Sequence, residues 1–461
     1  MRKILLGTTA VVGAALLAPA AFAQTGVTTA PGATPLSGAA VVGTQGVTAP
    51  TPAIAAASGL TVRLGGFFDF SMAGIQDDWD RARSRNDAQG LTGAAANRQA
   101  RQRYDFRNDL ELNVFIDGRA ANGMTYGAVF EFQMDNTATG AADGTTVSMD
   151  EAYLYLSFPN LGTLRFGQED SAASLLQVRA PSAGLVASDG DWYDFIVGTG
   201  LYSNYVLSGI NDGSDATKIT YLSPQFAGFD FGVSYAANGG EGERENLPAS
   251  ASAQRDRTGL ENELSAAIRY RGTFGPVGVN AGFGTQYADA PRLASTGAVL
   301  NPRPQQVNAY TVGLTVSAYG FALGGEYTWG AYNGSSVARS ALNAGLDDSQ
   351  HFIIGATYTM GPLLIGGNFG QGKQSNGSQR VAGVIRDLDD RTHTAWGIGA
   401  VYTLAPGLAT YVIYQNINDE NIPTSAPSDA RYGGSGTTLA SFNGSNTRTI
   451  NVLMGGIRLA F

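Results

Sequence analysis

The residues able to do physical work form one charged set. Glu169, Asp170, Asp189, Asp191 and Asp194 fall in the stretch from Glu169 to about Asp215, opposed there only by Arg179. Against them stand Arg63, Arg107, Arg165 and Lys218, with Arg269, Arg271 and Arg458 as further cations. Carboxylates facing guanidiniums across a narrow gap of low polarizability make a transverse field, which sorts passing ions without making a bond. Arginine suits such a wall because it stays charged beside other cations. Each arginine has a simpler alternative, which is pairing with Asp109, Glu111, Glu131 or Glu151 on a neighbouring segment. Parity decides for a shared lining, because it puts the whole set on one face.

Bond-making chemistry has little to work with. The chain has no cysteine and two histidines, His351 and His393. Ser349 lies close to His351, but a nucleophile needs an oriented base as well as proximity. Asp77, Asp78 and Asp80, like Asp387, Asp389 and Asp390, offer clustered oxygens. Neither run has the spacing of a calcium loop, and both read as solvated acids. No enzyme, metal or cofactor is expected.

The elements that carry these charges alternate strictly. Val62, Leu64, Phe68, Phe70 and Met72 are apolar, while Arg63, Asp69 and Ser71 lie between them. Leu110, Leu112, Val114 and Ile116 interleave with Arg107, Asp109, Glu111 and Asn113 in the same way. Tyr126, Phe130, Phe132 and Met134 do so with Glu131, Gln133 and Asp135. That period of two means strands, and several charges per strand suit a wet interior with the apolar face toward lipid. Tyr153, Tyr155, Tyr221, Tyr310, Trp329, Trp396, Tyr402, Tyr411 and other aromatics fall toward strand ends, as an interfacial girdle requires.

Connection lengths alternate too. Short ones are 118–123, 159–162, 224–228, 272–276, Gly320, 361–362 and 405–407, each with the Gly, Pro or Asn of a tight turn. Long polar ones are near 74–103, 137–146, 169–215, 238–258, 289–306, 332–348, 374–391 and 418–447. The count predicts an all-β, sixteen-stranded, antiparallel up-and-down barrel that spans a bacterial outer membrane.

Ahead of the barrel, Arg2 and Lys3, the apolar run Ile4–Leu17 and Ala21-Phe22-Ala23 read as a cleaved secretory signal, residues 1–23. Residues 24–59 are rich in Ala, Thr and Pro and read as a flexible periplasmic spacer. Residues 60–461 are the barrel. Without Arg2 and Lys3 the chain keeps 27 basic and 38 acidic residues, net −11, which makes nucleic acid an unsuitable partner. Arg81, Arg83, Arg85, Arg98, Arg101 and Arg103 in the first outer loop read equally as solvated charges or as contacts for lipopolysaccharide phosphates or a neighbouring subunit.

Three stretches carry a family resemblance. Tyr221-Leu222-Ser223-Pro224-Gln225-Phe226-Ala227-Gly228-Phe229 resembles the Tyr-x-Ser-Pro-x-Phe-x-Gly-Phe segment of Gram-negative general porins. Glu151–Leu156 with Leu161–Gln168 resembles the lead into their constriction loop. Gly456, Leu459 and Phe461 resemble the signal read by the barrel-assembly machinery, with Met454 where a polar residue is usual. The resemblance implies a homotrimer in outer-membrane lipid, a third long loop folded into the lumen, and passive diffusion of small hydrophilic solutes. A substrate-specific channel and a structural or adhesive barrel are the alternatives.

Deleting Phe461 is expected to cut outer-membrane assembly while export continues. Surface labelling against total secreted protein measures this, and a normal surface yield would reject it.

Overall fold

The computed structural model describes residues 54–55, 59–78, 102–135, 146–183, 195–196, 210, 215–239, 257–294, 297–332, 341–423, 427–434, 437 and 446–461. Sixteen strands make the wall: β1 (Thr61–Asp77), β2 (Tyr104–Arg119), β3 (Thr125–Asp135), β4 (Thr146–Phe158), β5 (Gly162–Gln168), β6 (Thr217–Leu222), β7 (Phe229–Asn238) and β8 (Glu261–Phe274). β9 (Val277–Asp289), β10 (Val307–Ala318), β11 (Phe321–Ala331), β12 (Ser349–Met360), β13 (Leu363–Gln374), β14 (Arg391–Ala405), β15 (Leu408–Glu420) and β16 (Arg448–Ala460) complete it. Each strand pairs antiparallel with the next, and β16 returns to β1 with Phe67 opposite Ala460 and Asp77 opposite Ile450. The sheet therefore closes. Closure leaves no strand edge in the hydrocarbon, where an unpaired amide or carbonyl would cost several kcal/mol.

Strand β7 shows why the sequence gives this wall. Phe229, Phe231, Val233 and Tyr235 are exposed on the outside, while Asp230, Ser234 and Ala236 are buried inside. The connections alternate as well, with seven short turns at one end and eight longer segments at the other. Tyr319 and Gly320 both have positive φ, 53° and 84°, which is the two-residue turn that matches the strand twist.

Three expectations need correction. The turn near 272–276 shrinks to Gly275-Pro276, because Gly272 and Thr273 stay in register with Val279 and Gly278. Asp77, read as a loop acid, belongs to β1, which runs five residues past Met72. Tyr153, Tyr155 and Tyr411, counted among the interface aromatics, are buried on the inner side. Nor is the inner face polar throughout. Ala395, Ile413, Ile417, Ile450, Val452 and Met454 point inward from β14–β16 and pack with Ala183, Phe195 and Ile196. Inward apolar residues are tolerated there because protein rather than water covers them.

The β16–β1 seam is held by side chains as well as backbone. Tyr411 on β15 crosses beneath Gly456 on β16 and donates to Asp69 on β1 at 2.7 Å. A Cβ on Gly456 would meet the Tyr411 ring and lie 2.6 Å from the Phe70 carbonyl, so glycine is what lets Tyr411 pass. At the outer end Arg448 on β16 donates to Asp77 at 2.9 Å, and Arg391 on β14 pairs with Asp419 on β15 in the same way. At the opposite end the Phe461 amide donates to the Gly66 carbonyl and the Gly66 amide to the Phe461 carbonyl. The short strand Ile54–Ala55 then continues the edge by pairing with Val62 and Thr61.

Above the wall, the connection 375–390 is clamped to the described part of the connection after β15. The hairpin Gly377–Val381 and Val384–Asp387 takes Ser428–Asp429 as a parallel third strand. Arg431 bridges Asp387 at 2.5 Å and Asp429 at 2.9 Å, and Ser378 donates to Asp429. Burial pushes the Asp429 carboxyl up, but the donors from Arg431 and Ser378 outweigh it and hold it below the ordinary aspartate value.

Gly456→Val is expected to destabilise the barrel by about 1–3 kcal/mol through overpacking, whereas Gly74→Val, at a site with nothing within 4 Å, should be neutral. Heat-modifiable gel mobility compares the two. A depressed Asp429 pKa means that the clamp's stabilisation is complete above the unfolded value, about 3.9, and is lost as pH falls through the folded one. Hydrogen exchange at the Ala430 amide, corrected for its intrinsic rate, should therefore rise only in acid.

Candidate functional site

In the long connection after β5, here L3, the described residues turn inward and lie on the wall. It opens with a one-turn helix, α1 (Ala172–Leu176), capped by Ser171, whose hydroxyl accepts from the Ser174 amide. The Ala172 amide donates to Ser234 Oγ on β7 at 3.0 Å, and the Ala173 amide to Ser265 Oγ on β8 at 2.9 Å. Gln177 then clamps the returning limb, donating to the Ile210 carbonyl and accepting from the Ile210 amide. Thr315 on β10 donates to the Arg179 carbonyl at 3.1 Å.

Glycines on the wall make the path. A Cβ on Gly282 of β9 would sit 2.9 Å from Val178, and one on Gly366 of β13 would sit 3.1 Å from Ala183. On Gly313 of β10 it would strike the Val178 carbonyl, and on Gly355 of β12 the Pro181 carbonyl. The L3 backbone thus rests on inward positions that have no side chain. Six strands between β7 and β13 contribute, from Ser234 on β7 to Gly366 on β13.

The root of L3 is ionic. Arg165 on β5 pairs with Glu169 and stacks on Tyr153, its guanidinium 5.0 Å from the ring centre. Lys218 on β6 donates to the Glu169 carbonyl, so both ends of the loop meet at one residue. Arg165, Glu169 and Lys218 are each less than 4% exposed. These two cations therefore bind the loop's base and do not face open lumen. Removing one of three such groups strands a buried charge, typically at a cost of about 3–5 kcal/mol.

Carboxylates crowd the wall beside that root. The pairing of β3 with β4 slips between Phe130 and Phe132, so Asp150 and Glu151 together oppose Glu131. Such a bulge turns two neighbours toward one side. Gln133 donates to Asp150 at 2.8 Å, and Asn113 to Glu111 at 2.8 Å. Glu111, Glu131, Glu151, Asp170 and Asp215 are all buried.

The other expected cations disperse. Arg63 pairs with Asp117 at 2.8 Å and lies over Phe115. Arg107 and Arg458 act on Asp69 and Asp109, and Arg458 stacks on Phe67 at 3.6 Å. Arg269 and Arg271 share Asp230, each at 2.7 Å. Asp189, Asp191 and Asp194 lie outside the described residues, as do Trp192, Tyr193, the signal segment, most of the spacer and the loop arginines 81–101. Of the acids read as outer-loop clusters, Asp77 pairs with Arg448, Asp387 with Arg431 and Asp390 with Lys373, while Asp80 lies outside the described residues. Gly456 points inward, while Leu459 and Phe461 are exposed outside.

Sequence reading put Asp69 on the polar face with Arg63 but gave it no site role, and it missed Asp117, Asp150, Asp215 and Asp230. Inward parity could have found Asp117. No local signal marks Asp150, because the bulge that turns it inward depends on the facing strand.

A closed sixteen-stranded barrel with an apolar outer belt, a charged interior and a loop folded against its inner wall defines a transmembrane β-barrel of the channel-forming class. The family model for Gram-negative porins matches residues 7–422, and the chain belongs to that family. Porins are channels of the outer membrane and not enzymes. Among solved structures, the outer membrane channel DcaP of Acinetobacter baumannii is 13% identical over 88% of this chain and 99% of its own, with a TM-score of 0.52. OmpT of Vibrio cholerae in its trimer form is 12% identical over 87% and 99%, at 0.49. A mutant of Rh. blastica porin is 17% identical over 87% and 100%, at 0.45. At these identities the likeness to DcaP speaks for fold alone. No curated protein matches the sequence.

Gly313→Val is expected to lift L3 from β10, because the new side chain needs the space of the Val178 carbonyl. Single-channel recordings should show noisier, more variable conductance than wild type, with the folded barrel retained. Gly239→Val, in open space, should leave the trace unchanged.

Proposed function

We propose that this chain forms a water-filled diffusion pore for small hydrophilic solutes and ions, weakly cation-selective, and works as a homotrimer. The observation that carries the reading is L3, whose described residues are anchored along the inner wall from β7 to β13; a loop held there would narrow the lumen. Selection then follows size and local field, with no reaction required. Carboxylates outnumber cations around the L3 root, and screening over about 8 Å at physiological salt confines the effect to charges near the narrowest point. Asp189, Asp191 and Asp194 are the proposed filter acids, with Arg107 and Arg458 on the facing side.

Trimer formation rests on family membership. The outer faces of β1 and β16 carry Leu64, Phe68, Phe70, Met72, Leu453 and Ile457, an apolar surface fit for lipid or for another copy. Export through a signal cleaved after Ala23, contact of the first-loop arginines with lipopolysaccharide, and reading of Gly456, Leu459 and Phe461 by the assembly machinery complete the proposal.

Planar-bilayer recording tests it. Large ohmic steps support a diffusion pore, saturable block by one solute points to a substrate-specific channel, and silence leaves a structural barrel. Replacing Asp189, Asp191 and Asp194 by Asn should move the reversal potential toward anions. The same change at the exposed outer acids Asp347 and Asp348 should do much less. Equal shifts would sink the filter assignment.

A further inference from the structure

Three buried carboxylates from separate stretches of chain meet where L3 leaves and rejoins the wall. Glu151 comes from the β4 bulge, Asp170 from the start of L3, and Asp215 from its end. One oxygen from each lies within 4.8 Å of the other two. The strongest charges acting on Glu151 are themselves carboxylates, Glu169, Glu131, Asp170 and Asp215. Arg165 acts on Glu151 as well, but its ion pair goes to Glu169, and Lys218 donates to the Glu169 carbonyl, so the carboxylates here outnumber the cations.

Glu131 is a second and independent observation. It is 3% exposed, its Oε1 has no hydrogen-bond partner among the described residues, and it sits among Glu111, Asp150, Asp215 and Asp170. A carboxylate oxygen held out of water with no donor is costly. A cation in the space it faces would offset that cost.

We propose that Glu151, Asp170 and Asp215, backed by Glu131, bind one calcium ion that staples both ends of L3 to β4. The donor set is all hard oxygen, which suits calcium or magnesium over softer metals. Two oxygens that each lie about 2.4 Å from one calcium can be at most about 4.8 Å apart, a limit these three meet as they stand. Magnesium demands a tighter octahedron and keeps its waters, which a buried carboxylate pocket does not favour. The ion would offset the like charges and lock the loop's two roots to one wall strand. The site would be structural, and its existence does not depend on the selectivity proposed above.

Equilibrium dialysis of the folded, detergent-solubilised protein with radioactive calcium, after chelator treatment and in excess magnesium, reads the site directly. Wild type should retain one calcium per protomer, and its heat-dissociation temperature should rise with calcium and fall with chelator. Asp170→Asn and Asp215→Asn should each weaken binding by about tenfold or more, and should abolish the calcium-dependent shift. Asp347→Asn, on an exposed loop, should change neither. Retention of the folded gel mobility certifies each variant, and the wild-type measurement stands without them. Wild type that binds no more calcium than the Asp170→Asn/Asp215→Asn double variant overturns the proposal. So does a stability that ignores calcium and chelator but follows pH, which would mean that shared protons neutralise the cluster.

Discussion

Everything in this molecule depends on the need to pair each backbone amide and carbonyl that enters hydrocarbon. A sheet meets that need only by closing, and closing concentrates the burden at one seam, where the first strand meets the last. There the ladder from Phe67–Ala460 to Asp77–Ile450 is reinforced at three heights. Phe461 and Gly66 exchange backbone bonds at one end, Tyr411 reaches Asp69 in the middle, and Arg448 pairs with Asp77 at the other end. The wall can then present Phe, Val, Ile and Tyr outward along the rest of its circumference.

Closure also creates an interior, and the interior must be filled or wetted. Here it is partly filled. L3 runs over glycines on β9, β10, β12 and β13, and its Ala183, Phe195 and Ile196 cover the apolar inner faces of β14–β16. The same absence of side chains that weakens a strand in isolation lets a second layer of backbone lie close. The barrel thus holds its inner loop by packing on one side and by ions at its root.

Charge is distributed by the same logic. Arg165 and Lys218 secure Glu169, Arg269 and Arg271 converge on Asp230, and Arg63 finds Asp117. Most arginines expected to line an open passage are therefore committed to a partner, in keeping with the cost of an unpaired charge at low dielectric. The excess lies with the carboxylates around Glu131 and Glu151. That imbalance marks the place where a cation, whether passing or resident, would be held.

Strand number, the outward face and the side on which the long loops gather were legible in the sequence. Side-chain alternation and turn chemistry are local, and a period of two needs no partner to be visible. The cations and carboxylates on inward positions were legible for the same reason. Which of them meet was not. The Asp150–Glu151 bulge exists only against β3, the Tyr411–Asp69 bond joins residues 342 positions apart, and the glycine track joins strands far apart in sequence. Such contacts follow from register and closure, which are settled by all sixteen strands together. The sequence determined the wall, and the tertiary structure decided what the wall encloses.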